Sequence, residues 1–582
     1  MEHRSFKNSY TIVDNYKRIA LLGGGPSALF MFKRLVESGL TGLEIQIFER
    51  KKKLGEGMPY SAEGANDEHI TNVSSNEIPE LVTALADWIN TVPKDTLNKF
   101  HIDPSRFNEY KVLPRLLFGQ YLADQFSLLQ RQAKEKGVEL QVHYNSSVTD
   151  VIDHPGRQNV TVEINGQDKY EFDHVIICTG HNWPRRHEGQ VKGFFDAPYP
   201  PAKLALELDH PVAIKGSSLT AVDAIRTLSR HNGYFEKDNK GRLSYRLKDQ
   251  SQNFKMVLHT RNGMLPAVRF HLEDSHLGND ALLTESEIKA HIDSNEGFLS
   301  LDYVFERDFK LPIKDKETEF YEKIKDLNLE QFVEAMMELR EKLDPFQLLK
   351  AEYAEAEKSI QRRKSVYWKE MLGVLSFALN YPAKYLSAED MQRLQKSLSP
   401  LISIVIAYIP QSSSEEMLAL HQAGVLDLIP VGEQSRVEPN PEGGAIYHFQ
   451  DEEQQDVSVH YQTYVDCVGQ PHLAYEDFPF KSLVENETVS PAKLRFRSIE
   501  EAEKALAQGK PVTRTAQGNY YLKVSGIAIN DHFQVIDPYG AFNDRIYLMA
   551  VPYIGGFNPD YSGLDFSEAA SGAIIKRLIA DQ

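Results

Sequence analysis

The feature that most constrains the fold is a strand, a glycine turn and a helix in one unbroken stretch, residues 18–30, RIALLGGGPSALF. The apolar run Ile19 to Leu22 leads in, and Ala28 to Phe32 leads out, with Leu35 and Val36 one turn further. Gly23-x-Gly25-x-x-Ala28 follows the G-x-G-x-x-G/A pattern of dinucleotide-binding turns. Gly23 permits the sharp turn. Gly25 has no side chain to hold a pyrophosphate away from the backbone. Ala28 allows close helix–strand packing, and the helix N-terminus offers free N–H groups and a positive dipole end. After Gly39 an alternating strand, Leu43 to Phe48, ends in Glu49, 26 positions beyond Gly23. An acid near that offset grips a ribose hydroxyl.

The pattern recurs. Residues 211–223, PVAIKGSSLTAVD, are again a strand, a turn at Gly216 and a helix start, with Ser218 in the place of the middle glycine. A serine can approach a phosphate and donate through its hydroxyl, so Gly216, Ser217, Ser218, Leu219 and Thr220 form a second, weaker cradle. The next strand, Phe254 to Thr260, ends without an acid and is followed by Arg261. That exchange favours a 2′-phosphate, hence NADPH, with NADH as the alternative. Two strand–glycine closures come later, Cys178-Thr179-Gly180 and Cys467-Val468-Gly469.

From about Asp315 to Leu394, Glu, Lys, Leu and Ala dominate, and Leu329, Phe332, Ala335, Met336 and Leu339 fall at helical spacing. Strand signals return at 403–410 and again at Val457 to Tyr464. The last residues read strand, Gly555-Gly556, then a helix with Asp565 or Ser567 near its N-cap. The expected fold class is α/β, with two nested Rossmann-like dinucleotide-binding domains and an inserted helical subdomain. The first domain takes 1–205 and 472–582, the second 206–300 and 401–471, and the insertion 301–400.

A chain of 582 residues with net charge −18 exceeds one core and argues against nucleic-acid or anionic-membrane partners. No apolar leader or membrane-length run is visible, so the cytoplasm is expected. The two cysteines form no C-x-x-C, which leaves dithiol–disulfide chemistry unsupported. His271, Glu273, Asp274 and His276 match no standard metal spacing, and no metal is expected.

Several ordered stretches resemble one family. They are Leu54-Gly-Glu-Gly57-Met-Pro-Tyr60, Thr71-Asn72-Val73, Leu113-Pro-Arg115, Cys178-Thr-Gly180-His181, the Gly216 turn, and Thr260-Arg261-Asn-Gly263-Met-Leu-Pro266. The series is similar to the bacterial YdhS-like FAD/NAD(P)-binding proteins, within the two-dinucleotide-domain flavoproteins. The resemblance implies FAD in the first domain, with Gly23, Gly25, Pro26 and Ser27 at the pyrophosphate and Glu49 and Arg50 at the adenosine ribose. Val148 would lie along the adenine, Thr179 and Gly180 by the closure, and Met58, Asn72 and Val73 near the isoalloxazine. Leu564, Asp565 and Phe566 would lie by the flavin pyrimidine. The implied activity resembles that of flavin-dependent N-oxygenases: NADPH reduces FAD, and O2 then oxygenates a small amine or amino acid. The F-x-G-x-x-x-H motif of flavin-containing monooxygenases is absent. The rival readings are a flavin dehydrogenase or oxidase without NAD(P)H, and a non-catalytic FAD-binding interaction protein. No side chain stands out as the catalyst; His181, after the closure, is the one candidate. The oligomeric state is left open.

Overall fold

The computed structural model describes residues 17–181, 183–273, 282–380, 382–470, 472–559 and 563–580. Two parallel sheets organise the chain. The first runs, in spatial order, Gln534–Ile536, Phe542–Leu548, His174–Ile177, Lys17–Leu22, Leu43–Glu49 and Glu139–Tyr144; only the edge strand Gln534–Ile536 is antiparallel. The second runs Phe194–Phe195, Thr463–Asp466, Pro211–Lys215, Lys255–Thr260 and Leu426–Pro430, all parallel. Each sheet is thus completed by a strand far along the chain.

The elements that carry the argument are β1 (Lys17–Leu22), α1 (Pro26–Glu37), β2 (Leu43–Glu49) and β3 (His174–Ile177) in the first sheet. Their counterparts are β4 (Pro211–Lys215), α2 (Leu219–Asn232), β5 (Lys255–Thr260) and β6 (Thr463–Asp466) in the second. β1 and β4 are the apolar runs read from the sequence, and both are buried where helices cover a parallel sheet. A three-stranded antiparallel meander, 148–172, precedes β3, and another, 436–461, precedes β6. The two halves repeat one plan.

The C-terminal helix Leu564–Ala580 packs on α1, where Ser27 Oγ meets Ser567 Oγ at 3.3 Å and Arg34 pairs with Glu568. Between the halves of the second sheet lie helices from Glu285–Ser294 to Ser399–Val405. They begin earlier than residue 301. Phe305, Phe309, Phe332 and Met371 join the core of the first domain, whereas Phe346, Leu349 and Ala356 join that of the second. The insertion therefore wedges against both.

The strand expected over 403–410 is instead the end of helix Ser399–Val405. Its β-branched residues suggested extension, but Pro400 sits in the first turn, and Leu401 and Val405, four apart, both face the core. Ile409 forms an isolated bridge with Val268. Among the described residues, no helix is long and apolar enough to cross a membrane.

Candidate functional site

The first turn is held by backbone geometry that only glycine meets. Gly23 has φ +104°, and a Cβ there would stand 2.9 Å from the Cys178 carbonyl oxygen, which belongs to the closure. Its N–H donates to the Phe48 carbonyl at 2.9 Å. The Gly24 N–H donates to Glu49 Oε2 at 2.7 Å, and the Lys51 N–H to Oε1 at 2.8 Å. Glu49 is buried. Its carboxylate braces the turn and keeps further lone pairs for ribose hydroxyls. Gly25 caps α1 in extended conformation, and Pro26 opens the helix.

Beside this turn lies a cavity of ≈ 440 Å³. Of the expected FAD residues, Gly23, Gly25, Pro26, Ser27, Glu49, Arg50, Met58, Val148, Thr179, Gly180 and Leu564 line it, as does His181. Asn72 and Val73 do not. They lie on strand Ile70–Ser74, where the Asn72 carbonyl accepts from the buried Arg269 guanidinium. Asp565 and Phe566 are also off the wall: Phe566 is buried against Phe533, with ring centroids 5.8 Å apart, while Gly563 and Ser567 take the wall beside Leu564. Sequence reading missed Pro479, Phe480, Met549, Pro552 and Tyr553, which close the cavity from the far end of the chain. No local motif marks them; a faint signal was the strand–glycine pattern of the last residues.

The cavity passes a physical test for a dinucleotide. The Thr179 Oγ1 atom is buried and has no hydrogen-bond partner among the described residues, an orphan that a bound ligand would satisfy. The α1 N-terminus, from Gly25 on, supplies anion-binding donors at one end, the Gly23 and Gly24 N–H groups being spent on Phe48 O and Glu49 Oε2. Cys178 is buried, and burial pushes its thiol well above the ordinary range, as it does for Cys467; neither is a thiolate. Among the described residues no group of three or more His, Cys, Asp or Glu side chains is placed to hold a metal. Asp274 and His276 lie outside those residues.

The second turn copies the first. Gly216 has φ +100°, its Cβ position is 2.9 Å from the Cys467 carbonyl oxygen, and its N–H donates to His259 O at 2.8 Å. In this register His259 answers to Phe48, Thr260 to Glu49 and Arg261 to Arg50. Ser217 Oγ donates to Met264 O at 2.7 Å, and Thr260 Oγ1 accepts from Gly263 N at 2.9 Å. Ser218 is the N-cap of α2, with no side-chain cap bond, and Leu219 and Thr220 form the first turn. Arg261 is exposed and lines a separate cavity of ≈ 590 Å³ with Gly432, Arg436 and His448. That cavity also carries Glu433, Asp451 and Asp456.

A buried ion pair ties helix Arg115–Glu135 to α2. Arg115 Nη1 donates to Asp223 Oδ2 at 2.5 Å, and the Tyr199 hydroxyl donates to the same oxygen at 2.6 Å. Arg115 opens a helix of the first domain, and Asp223 is on α2.

Comparison with known proteins agrees with this geometry. Residues 20–182 match the FAD-NAD(P)-binding family model, and residues 284–406 match the YdhS-like middle domain. YdhS of Escherichia coli (strain K12) is 28% identical over 478 residues, covering 81% of this chain and 86% of that protein. The chain is similar to the YdhS-like FAD/NAD(P)-binding proteins over these segments. The first match spans the Gly23 turn, Glu49 and the Thr179-Gly180 closure, and it names FAD and NAD(P) as the cofactors. Among solved structures, the cadaverine monooxygenase DfoA of Erwinia amylovora bound to FAD has TM-score 0.44 and 12% identity, over 97% of this chain and 95% of that one. Cyclohexanone monooxygenase of Rhodococcus sp. Phi1 bound to NADP+ has TM-score 0.45 and 10% identity, over 97% and 84%. The helices of the YdhS-like middle domain are the insertion that wedges between the two cores.

Proposed function

We propose that this chain is an FAD-dependent NAD(P)H oxidoreductase, a monooxygenase that oxygenates a small nucleophilic amine or amino acid. The observation that carries the reading is the repeated turn: two glycine cradles with one backbone geometry, in halves joined by the buried Arg115–Asp223 pair. Bound FAD would supply hydride acceptance and oxygen activation. The chain's part is to bind and orient. The Gly25 N–H and the α1 N-terminus would hold the pyrophosphate, Glu49 the ribose, and the Ser146–Val148 edge the adenine. Thr179 Oγ1 supplies a hydroxyl at the inner wall. The start of helix Leu564–Ala580 brings a positive dipole end toward the ring. In the second cradle, Arg261 meets a 2′-phosphate and the Ser218 hydroxyl a pyrophosphate oxygen. The expected site residues that line the cavity and the domain division 1–205, 206–300, 301–400, 401–471 and 472–582 are part of the same proposal.

Ser218 favours one alternative, a flavin dehydrogenase or oxidase without NAD(P)H, because a side chain stands where glycine admits phosphate. Anaerobic stopped-flow absorbance separates the two. Fast bleaching of the flavin by NADPH, slower with NADH, and then oxygenated product on adding O2 and an amine are expected. Bleaching by neither nucleotide would overturn the nicotinamide step.

A further inference from the structure

The repeat has one consequence at its centre. His181 is the third residue after Cys178, and Gln470 is the third after Cys467. Because Cys178 N–H donates to Leu22 O and Cys467 N–H donates to Lys215 O, both at 2.9 Å, the two residues occupy equivalent positions of the two halves. They lie 289 residues apart in the chain, yet His181 Nδ1 is hydrogen-bonded to Gln470 Oε1. His181 lines the flavin cavity, and its ring packs on Trp183, with centroids 5.2 Å apart. Trp183 packs in turn on Tyr199, the hydroxyl partner of Asp223.

An amide oxygen only accepts, so the shared proton belongs to Nδ1 and the lone pair to Nε2. Burial lowers the titration of this ring, and Gln470 offsets part of that, which leaves the imidazole neutral near pH 7. The Gln470 Nε2 group is buried without a partner among the described residues, so the amide spends only its oxygen here.

We infer that Gln470, from the second dinucleotide domain, is a positioning residue that fixes His181 as the Nδ1–H tautomer, leaving Nε2 as the proton acceptor at the wall of the first site. The inference rests on the proposed amine chemistry for its substrate class. An ammonium substrate, R–NH3+, gives one proton to Nε2 and becomes R–NH2, the nucleophile that oxygenation needs. The imidazole becomes imidazolium, and no electron moves. The tautomer itself rests on no turnover.

The test is two-bond 1H–15N correlation on perdeuterated, 15N-histidine-labelled protein, with His181 assigned by its loss in His181→Asn. The wild type is expected to show Nδ1–H with a free Nε2 at pH 7. Gln470→Leu should lose that preference. Gln470→Glu should keep it and raise the titration midpoint by about one pH unit or more, because an opposite charge favours imidazolium. Flavin content of each variant reports the fold. An Nε2–H tautomer in the wild type, or an unchanged tautomer and midpoint in Gln470→Leu, would overturn the assignment. If NADPH fails to bleach the flavin while the tautomer holds, the proposed activity falls and the positioning role stands.

Discussion

The two glycine turns share a backbone and differ in the side chains a nucleotide would meet. Gly23 and Gly216 have φ of +104° and +100°, and each abuts a cysteine carbonyl at the same 2.9 Å. Gly25 and Ser218 cap their helices with nearly the same φ, −81° and −78°. At the strand ends, however, Phe48, Glu49 and Arg50 become His259, Thr260 and Arg261. Both strand ends carry an arginine, but the first turn has an acid where the second has a hydroxyl, and a bare glycine where the second has Ser218. Backbone geometry therefore sets where a diphosphate can sit, and the side chains decide which nucleotide it belongs to.

The largest expected effect comes from filling the bare turn. Gly25 has an ordinary φ, and its Cβ position stands 3.4 Å from Gly57 Cα, so a substitution leaves the backbone in place and fills the cradle. Gly25→Val should give folded, colourless protein, checked by circular dichroism and the flavin absorbance of the purified chain. Retained yellow colour would break the comparison at its strongest point.

His259 sharpens it through pH. Burial holds this ring down to about 4, stacked on Tyr447 at 4.2 Å, whereas Phe48 does not titrate. With the folded value below the unfolded ~6.5, the unfolded chain binds the extra proton in between. Stability is thus full above pH ~6.5 and falls as the pH drops toward 4, by on the order of 3 kcal/mol. His259→Phe should flatten that limb in denaturant titrations at pH 7, 5.5 and 4.5. An unchanged slope would place the acid sensitivity elsewhere.

Arg261→Ala should weaken NADPH binding about thirtyfold, ~2 kcal/mol, and leave NADH within twofold, as read by fluorescence titration. Equal losses for both nucleotides would remove the 2′-phosphate role. The smallest expected quantity is the difference between two matched strains. Gly23→Ala and Gly216→Ala should each cost about 1–3 kcal/mol, and the two values should agree within about 0.5 kcal/mol. A wide gap between them would show that the turns are not equivalent.

What was legible in the sequence was local. A strand, a glycine turn and a helix sit within thirteen residues, so β1, α1, β4 and α2 follow from order alone, and so do the closures at Cys178 and Cys467. The cavity wall was legible only where it uses those segments. Met549 reaches it because strand Phe542–Leu548 lies beside β3, and Pro479 and Phe480 reach it beside Ser482, whose N–H and hydroxyl donate to Asp150. Asn72 and Val73 were placed by the resemblance, and they lie on strand Ile70–Ser74, where the Asn72 carbonyl accepts from Arg269. The run at 403–410 misled because β-branched residues suit a strand and a buried helix alike. The meeting of His181 with Gln470 has no local signature at all.

The most direct measurement of the central claim, one FAD cradle and one NADPH cradle, is calorimetric titration of NADP+ into FAD-loaded wild type and Ser218→Val. Ser218 has a φ that any residue adopts, so the variant should fold and keep its flavin. The account predicts one NADP+ per wild-type chain, and binding lost in the variant with one FAD retained. NADP+ bound equally by both proteins, or FAD lost from the variant, would contradict it.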